Sequence, residues 1–340
     1  SRTGNTRLAT HIADGVTDSG VHKEHSPAYH YLVMKLFIDV NLFNQHYGIG
    51  NQEITDLVYN MQEYLVYIAK QDGTIPMVGD SFNDKVMSMS TEMVTNEHLL
   101  YEISNGQKGV AASVNDIVYT DAGVAVFKND WDNATPVYFA LFNAFHSIVH
   151  KQSDELSFVL SYGNTDYLVD GGKYNFVESD PYRQFIRSVF SHNTISVDNQ
   201  TYDFRDKDLI GNPVIESFEI TENYSFVKAS HTIFEGVKIT RTAFFFEHGA
   251  VYLHDEIESD SSHSYSQIFN FGPEVNIDAT ESGDLNLSSK VDQTTVRLNQ
   301  LSGHNGFELF NGSTDPIRGW QSTTFNQVSP FRAASWKAPI

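Results

Sequence analysis

The spacing of hydrophobic positions along this chain changes near residue 110. Before that point they recur at helical intervals, and after it they alternate. In 26–45, SPAYHYLVMKLFIDVNLFNQ, the residues Leu32, Val33, Leu36, Phe37, Val40 and Phe43 mark one face of an amphipathic helix. Ser26 suits its N-cap and Pro27 its first helical position. A second helix is expected over 52–70, with Ile54, Leu57, Val58, Met61, Leu65 and Ile68 on one side. A weaker third covers 90–104. Beyond 110 the segments AGVAVF, PVYFALFNAF, LSFVLSY, DYLVD, NTISVD, SFVKAS, KITRTAFFF, AVYLHDEI and SYSQIFNF read as short strands punctuated by Gly, Asn and Asp. Strands in such a series predict an antiparallel sandwich. Two or three helices do not close a helical domain of their own. The expectation is a helical part over 1–108 that is the end of something larger, or that packs on the sheet, followed by strands over 109–340.

Composition narrows the function classes. The chain has 340 residues, 40% hydrophobic and 13% aromatic, enough to bury sizeable cores. No run of 18 apolar residues is present, so no membrane-spanning helix is expected. Cysteine is absent, which excludes disulfides and thiol catalysis. A net charge of −21 argues against general binding to nucleic acid or to anionic membranes. It leaves open a polyanionic substrate held by a local cluster of Arg, His and Lys. The N-terminus, SRTGNTRLAT, has neither a Met start nor the apolar core of a signal peptide, so removal of a leader or of a larger N-terminal piece is expected. Motifs for P-loops, dinucleotide binding, HExxH zinc sites, nucleophile elbows and CxxC sites are missing.

Polar residues gather in a few stretches. GVHKEHSPAYH brings His22, Glu24, His25, Tyr29 and His30 to the start of the first predicted helix, where the helix dipole favours anions and could stabilise a tyrosine phenolate. A capped helix with partly exposed histidines reads equally from the spacing. HSIVHKQSD offers His146, His150, Gln152 and Asp154. If extended, it sets residues 150, 152 and 154 on one face, as a strand presents metal ligands or acid/base groups, or as a solvated edge does. YLVDGGKY ends a strand at Asp170, a position that also suits a plain turn. YRQFIRSVFSHNT supplies Arg183, Arg187, His192 and Asn193. Arginines four apart on a short helix could hold carboxylate or sulfate groups, or pair with surface acids.

Taken together these segments resemble the heparinase II/III-like polysaccharide lyases. DG followed by E-x-SP-x-YH runs here from Asp18 to His30, with Ser19 inserted before Gly20. P-x-x-GDS is Pro76 to Ser81. H-x-H-x-D-x-LSF is His150 to Phe158, with Gln152 in place of the second His. D-x-G-x-Y is Asp170 to Tyr174, and YR-x-x-x-RS followed by HNT and VD is Tyr182 to Asp198. The resemblance covers residues 14–200 best. It implies a multidomain α+β architecture: the last helices of an (α/α) toroid, then a large antiparallel β-sandwich, with a cleft between them.

The resemblance also implies β-elimination at a uronic acid within an acidic polysaccharide, a glycosaminoglycan or an alginate-like polymer. The reaction needs a neutralised carboxylate, a base for the C5 proton and an acid for the leaving O4. Tyr29 would be the acid and could serve as base; His150 would be the base, or would hold the tyrosine and the carboxylate. Substrate contacts would come from His22, Glu24, Arg183, Arg187 and Tyr174. The family's neutraliser, an Asn or His on an upstream helix, has only Asn5 and His11 as weak counterparts. A structural divalent metal, zinc or calcium, would fall to Gln152, Asp170 and His192, although a neutral amide oxygen suits zinc badly and a harder cation better. No organic cofactor is implied. The partners implied are the acidic saccharide and the missing N-terminal toroid segment, with neither nucleic acid nor membrane. The location implied is the bacterial periplasm or outside the cell. A second reading is a catalytically impaired carbohydrate-binding fragment of such a lyase, with Trp320 and Trp336 free to stack on sugars.

Overall fold

The computed structural model describes residues 2–129 and 135–338. Four helices come first: α1 (Arg2–Gly15), α2 (Pro27–His46), α3 (Gln52–Ile68) and α4 (Glu97–Ile103). The Ser26 side chain accepts the Tyr29 amide at 3.3 Å and caps α2. Asn51 caps α3 and Asn96 caps α4 in the same manner. On α3 the expected residues Ile54, Leu57, Val58, Met61, Leu65 and Ile68 are all buried.

On α2 the buried face differs from the expected one. His30, Met34, Phe37, Ile38, Asn41 and Asn44 turn inward, while Leu36 and Phe43 are each 57% exposed and Leu32 is also exposed. Apolar residues surround this helix, so period alone does not choose its inner side. Polar residues with inward partners settle it: His30 Nε2 meets the Met61 carbonyl at 2.9 Å, and Asn41 accepts from Thr55 at 3.1 Å. The expected third helix is split into a 3-10 turn at Thr91–Met93 and α4.

The first sheet is β1 (Ile117–Tyr119), β2 (Val124–Lys128), β3 (Val137–Phe142), β4 (Ser157–Tyr162) and β5 (Thr165–Leu168), paired antiparallel in chain order. Every residue of β2 and β3 is buried, because both faces of this sheet are covered. Val124, Val126, Ala140 and Phe142 pack with α2 and α3. Ala125, Phe127, Phe139 and Leu141 face the later strands. This is the period-two alternation of a strand, with a core on each side. Tyr138 donates to the Ile68 carbonyl at 2.8 Å, and Lys128 Nζ to those of Val66 and Ala69 at 3.1 and 3.0 Å. The last carbonyls of α3 are thereby satisfied from the sheet.

A short helix α5 (Pro181–Ile186) precedes β6 (Ile195–Val197). Then follow β7 (Val214–Ile220), β8 (Tyr224–His231), β9 (Val237–Phe246) and β10 (Val251–Ser259), an antiparallel sheet in the order β10-β9-β8-β7. A further sheet, β15-β20-β11-β6, uses β11 (Tyr265–Asn270), β15 (Gly306–Asn311) and β20 (Arg332–Lys337). Smaller antiparallel pieces are β12 (Val275–Ala279) with β13 (Leu285–Ser289) and β14 (Thr295–Leu298). Two hairpins complete the chain: β16 (Ser313–Thr314) with β17 (Ile317–Arg318), and β18 (Trp320–Thr324) with β19 (Gln327–Pro330). The molecule is thus mostly antiparallel β structure with few helices. No described helix is long and apolar enough to cross a membrane. Trp336 is buried, so it is not offered to a ligand, and the half-buried Trp320 donates its indole N–H to the Ser313 carbonyl at 2.7 Å and packs edge-on against Tyr182.

Candidate active site

Three loops converge at the N-terminus of α2. Ser26 and Ser81 share a 2.7 Å hydroxyl hydrogen bond, and Ser81 Oγ accepts the Ala28 amide at 3.2 Å. That ties the Gly79-Asp80-Ser81 loop to the first turn of the helix. Gly79 sits at φ +58, and a Cβ there would lie 2.4 Å from the His25 carbonyl oxygen. Only glycine allows this approach. The His146 amide donates to His25 Nε2 at 2.8 Å and pins the third loop, which leads to His150. That loop is irregular rather than extended, and His150 itself has φ +54. The expected extended face of residues 150, 152 and 154 is therefore absent. His150 and Gln152 both reach Asp80, whereas Asp154 is ion-paired with buried Lys151.

The outcome is a compact cluster. The Tyr29 and His150 rings stack with centroids 3.6 Å apart and an interplanar angle of 17°. His150 Nδ1 lies 3.1 Å from Asp80 Oδ2, and Nε2 lies 3.6 Å from Glu24 Oε2. Asp80 is the hub. Arg183 donates to both its oxygens, at 2.8 and 3.0 Å, and Gln152 Nε2 donates to Oδ1 at 3.1 Å. Burial alone would raise the Asp80 carboxyl, but hydrogen bonds from His150 and Arg183 outweigh it and hold it down to about 2. A fixed carboxylate at Nδ1 orients the imidazole with Nδ1 as donor, leaving Nε2 to accept a proton.

Tyr29 is half-buried, beside His150. Burial, with Asp80 and Glu24 nearby, raises its hydroxyl above the usual tyrosine range, against a smaller opposing effect of Arg183. The helix N-terminus does not make it a phenolate; it is a protonated acid.

The other expected residues are placed as follows. Glu24 belongs to the cluster. His22 is buried and lines a small cavity with His25, His30 and His146. Arg183 is 2% exposed and gives both terminal nitrogens to Asp80, while its Nε is buried without a partner. Arg187 donates to Glu178 at 2.7 and 2.8 Å and lies 3.8 Å over the Phe204 ring. Both arginines thus hold protein carboxylates, Arg183 in the interior and Arg187 at the exposed Glu178. Tyr174 is 8% exposed, hydrogen-bonds Asp180 at 3.2 Å and packs with Phe185 and Ile186, so it is structural. His11 lies on α1 beside Phe37, with ring centroids 6.4 Å apart, and the Asn5 side chain lies outside the described residues.

The expected metal ligands come together without forming a metal site. His192 Nδ1 is 2.7 Å from Asp170 Oδ2, and Asp170 Oδ1 accepts the Gly172 amide at 3.3 Å. Gln152 Nε2 donates to the carbonyls of Gly79 and Gly172 at 2.9 and 3.3 Å. Gln152 Oε1 and His192 Nε2 remain buried and unpartnered. One amide oxygen and one imidazole nitrogen fall short of the four donors zinc takes or the six oxygens calcium takes. Among the described residues no group of three or more His, Asp or Glu is arranged to hold a metal. The residues do not fit the expected ion.

Two functional candidates carried no sequence signal of role. Asp80 lies inside the quoted GDS segment, and its 70-residue separation from His150 hides their pairing. Lys173, within the Gly-Gly turn, lies with its ammonium 5.3 Å from the Tyr29 ring centroid.

Comparison with known proteins gives one family. The model "Heparinase II/III-like, C-terminal" matches residues 115–334. A heparin-sulfate lyase of Pedobacter heparinus is 27% identical over 213 residues, covering 58% of this chain and 32% of that protein. The solved structure of heparan sulfate lyase HepC from Pedobacter heparinus superposes with TM-score 0.81 at 18% identity, covering 99% of this chain and 53% of that one. A heparinase III superposes with TM-score 0.78 at 17% identity, covering 99% and 55%. The chain thus spans about a third of the curated relative and about half of these solved chains.

Proposed function

Because this chain belongs to the heparinase II/III-like C-terminal family, we propose that it cleaves a uronic-acid-containing acidic polysaccharide of the glycosaminoglycan class by β-elimination. The observation that carries this is the Tyr29–His150 stack, with Asp80 bound to His150 Nδ1. His150 Nε2 takes the C5 proton. The C5–H electron pair forms the C4=C5 double bond, and the C4–O4 bond breaks. Tyr29, which keeps its proton in the ground state, donates it to O4. Glu24, 3.6 Å from His150 Nε2, favours the imidazolium that results. Proton exchange with solvent then returns Tyr29 and His150 to their starting forms.

The helices fit the same reading. The exposed stripe Leu32, Leu36 and Phe43 on α2, continued by its C-cap Tyr47, suits packing against further helices, as the last helices of an (α/α) toroid would. The β structure would then be the sandwich half, with the cleft at the α2 N-terminus. A periplasmic or extracellular location follows from this substrate class. The limited coverage of the relatives favours a second reading, in which this chain binds the polysaccharide and turns it over weakly by itself.

Mass spectrometry of heparan sulfate digested by the chain tests the proposal. Products with an unsaturated non-reducing end are expected. Hydrolytic products, each heavier by one water, would rule elimination out.

A further inference from the structure

Elimination, if the lyase reading above holds, requires a cation or donor at the uronate carboxylate. The arginines expected there are consumed by Asp80 and Glu178. Lys151 is buried with Asp154 and Glu155, and Lys23 donates to the Ala13 carbonyl. Lys173 is different. Its Nζ lies 5.3 Å from the ring centroid of Tyr29, 5.5 Å from that of Phe82 and 4.7 Å from that of Phe176. No carboxylate among the described residues lies within ion-pairing distance of it. Three aromatic rings hold this ammonium, while Asp80 and Asp84 act on it from beyond pairing distance and Arg183 opposes them.

Its backbone is rigidly placed. The Lys173 carbonyl accepts from Arg183, and the Gly172 carbonyl accepts from Gln152. Gly172 has φ +83, and a Cβ on it would meet the Ser322 carbonyl oxygen at 2.3 Å. The hub that fixes His150 therefore also fixes the turn that carries Lys173. Beside the ammonium lies an exposed aromatic lip: Phe176 and Phe325 are 51% and 53% exposed, with centroids 6.1 Å apart. Exposed paired phenylalanines next to a cation suit a sugar ring bearing a carboxylate.

The geometry points to Lys173 as the residue that binds the carboxylate of the uronic unit undergoing elimination, with Phe176 and Phe325 supporting the adjacent sugar. This rests on the lyase reading for its catalytic meaning. As a carboxylate-binding site it stands by itself. An unpaired, half-buried ammonium gains more from an incoming carboxylate than a fully solvated one does. Pairing the carboxylate also stabilises the charge that builds on it as the C5–H bond breaks.

The test is calorimetric titration of a heparan sulfate oligosaccharide and of its carboxyl-reduced counterpart, sulfation unchanged, into wild type, Lys173→Met and Lys173→Arg. Wild type is expected to prefer the carboxylated sugar by about tenfold or more, the size of one charge-assisted contact. Lys173→Met keeps the lysine's aliphatic contacts. It should lose the preference while binding the reduced sugar as wild type does, and Lys173→Arg should retain most of it. A preference preserved in Lys173→Met, or absent in wild type, overturns the assignment. The elimination assay run in parallel separates the two claims: a Lys173-dependent preference without turnover supports the carboxylate site and contradicts the lyase reading.

Discussion

The imidazole of His150 lies flat on the phenol ring of Tyr29, 3.6 Å between centroids, while its Nδ1 is held by Asp80. This contact joins the start of α2 to the loop between β3 and β4. It places an acid and a base side by side. Tyr29→Phe removes only a hydroxyl, and His150→Ala only an imidazole. Each should lower elimination by about 10² to 10⁴ with the circular dichroism spectrum unchanged. Activity retained by both variants would mean that the roles lie elsewhere.

Asp80 and Arg183 form a buried bidentate pair. Removing one partner leaves the other charged in the interior. Asp80→Asn should therefore cost about 3–5 kcal/mol in denaturant unfolding as well as activity. Asp80→Asn combined with Arg183→Met should recover part of the stability, because no lone charge remains buried. The double variant should stay inactive, since His150 has lost its anchor. A double variant no more stable than the single one would show that the pair is not the source of the loss.

Gly79 tests the loop junction. Gly79→Ala places a methyl group against the His25 carbonyl at a positive φ, which should cost more than about 1 kcal/mol. Turnover should fall further than stability does, because Asp80 is the next residue. Full activity in Gly79→Ala would show that the His25 loop can retreat without disturbing the cluster.

Acid should unfold this protein early. Burial lowers His22 to about 4 and His30 and His231 to about 3, and it lowers His25 well below its usual value. Between those values and the unfolded 6.5, the unfolded chain binds more protons than the folded one. Stability is therefore present above pH 6.5 and lost as pH falls below it, by about 1.4 kcal/mol per pH unit for each histidine. Glu155, raised to about 7 by burial, and His192, raised by Asp170 against its burial, act in the opposite sense and offset part of this slope. With four lowered histidines against them, unfolding midpoints measured from pH 7 to 4 should still fall, and His231→Gln should reduce the slope by one proton. A flat profile would show that these histidines protonate while folded.

Much of the fold was legible, for reasons visible in particular elements. In the first turns of α3 Ile54, Leu57, Val58 and Met61 mark one side, so period chose the buried face there, while the last turn, Tyr64 to Ile68, is buried all round. α2 is apolar on several sides, and inward hydrogen bonds of His30 and Asn41 chose instead. α1, RTGNTRLATHIADG, offers few apolar positions beyond Leu8 and Ile12, and it went unread. In the site, Tyr29 and His150 were marked by motif, but what surrounds them was not. Whether an arginine meets substrate or Asp80 depends on pairing across 103 residues. Tyr174 followed the motif yet turned toward Asp180. Gln152 was marked only as a departure at an expected metal position; that its amide ties Gly79, Asp80 and Gly172 together depends on contacts across 20 to 73 residues.

The most direct measurement of the central claim is ultraviolet absorbance of the conjugated uronate during incubation with heparan sulfate, for wild type and Tyr29→Phe side by side. A steady rise with wild type and none with Tyr29→Phe is predicted. A rise of equal slope with both proteins, or none with the wild type, would contradict it.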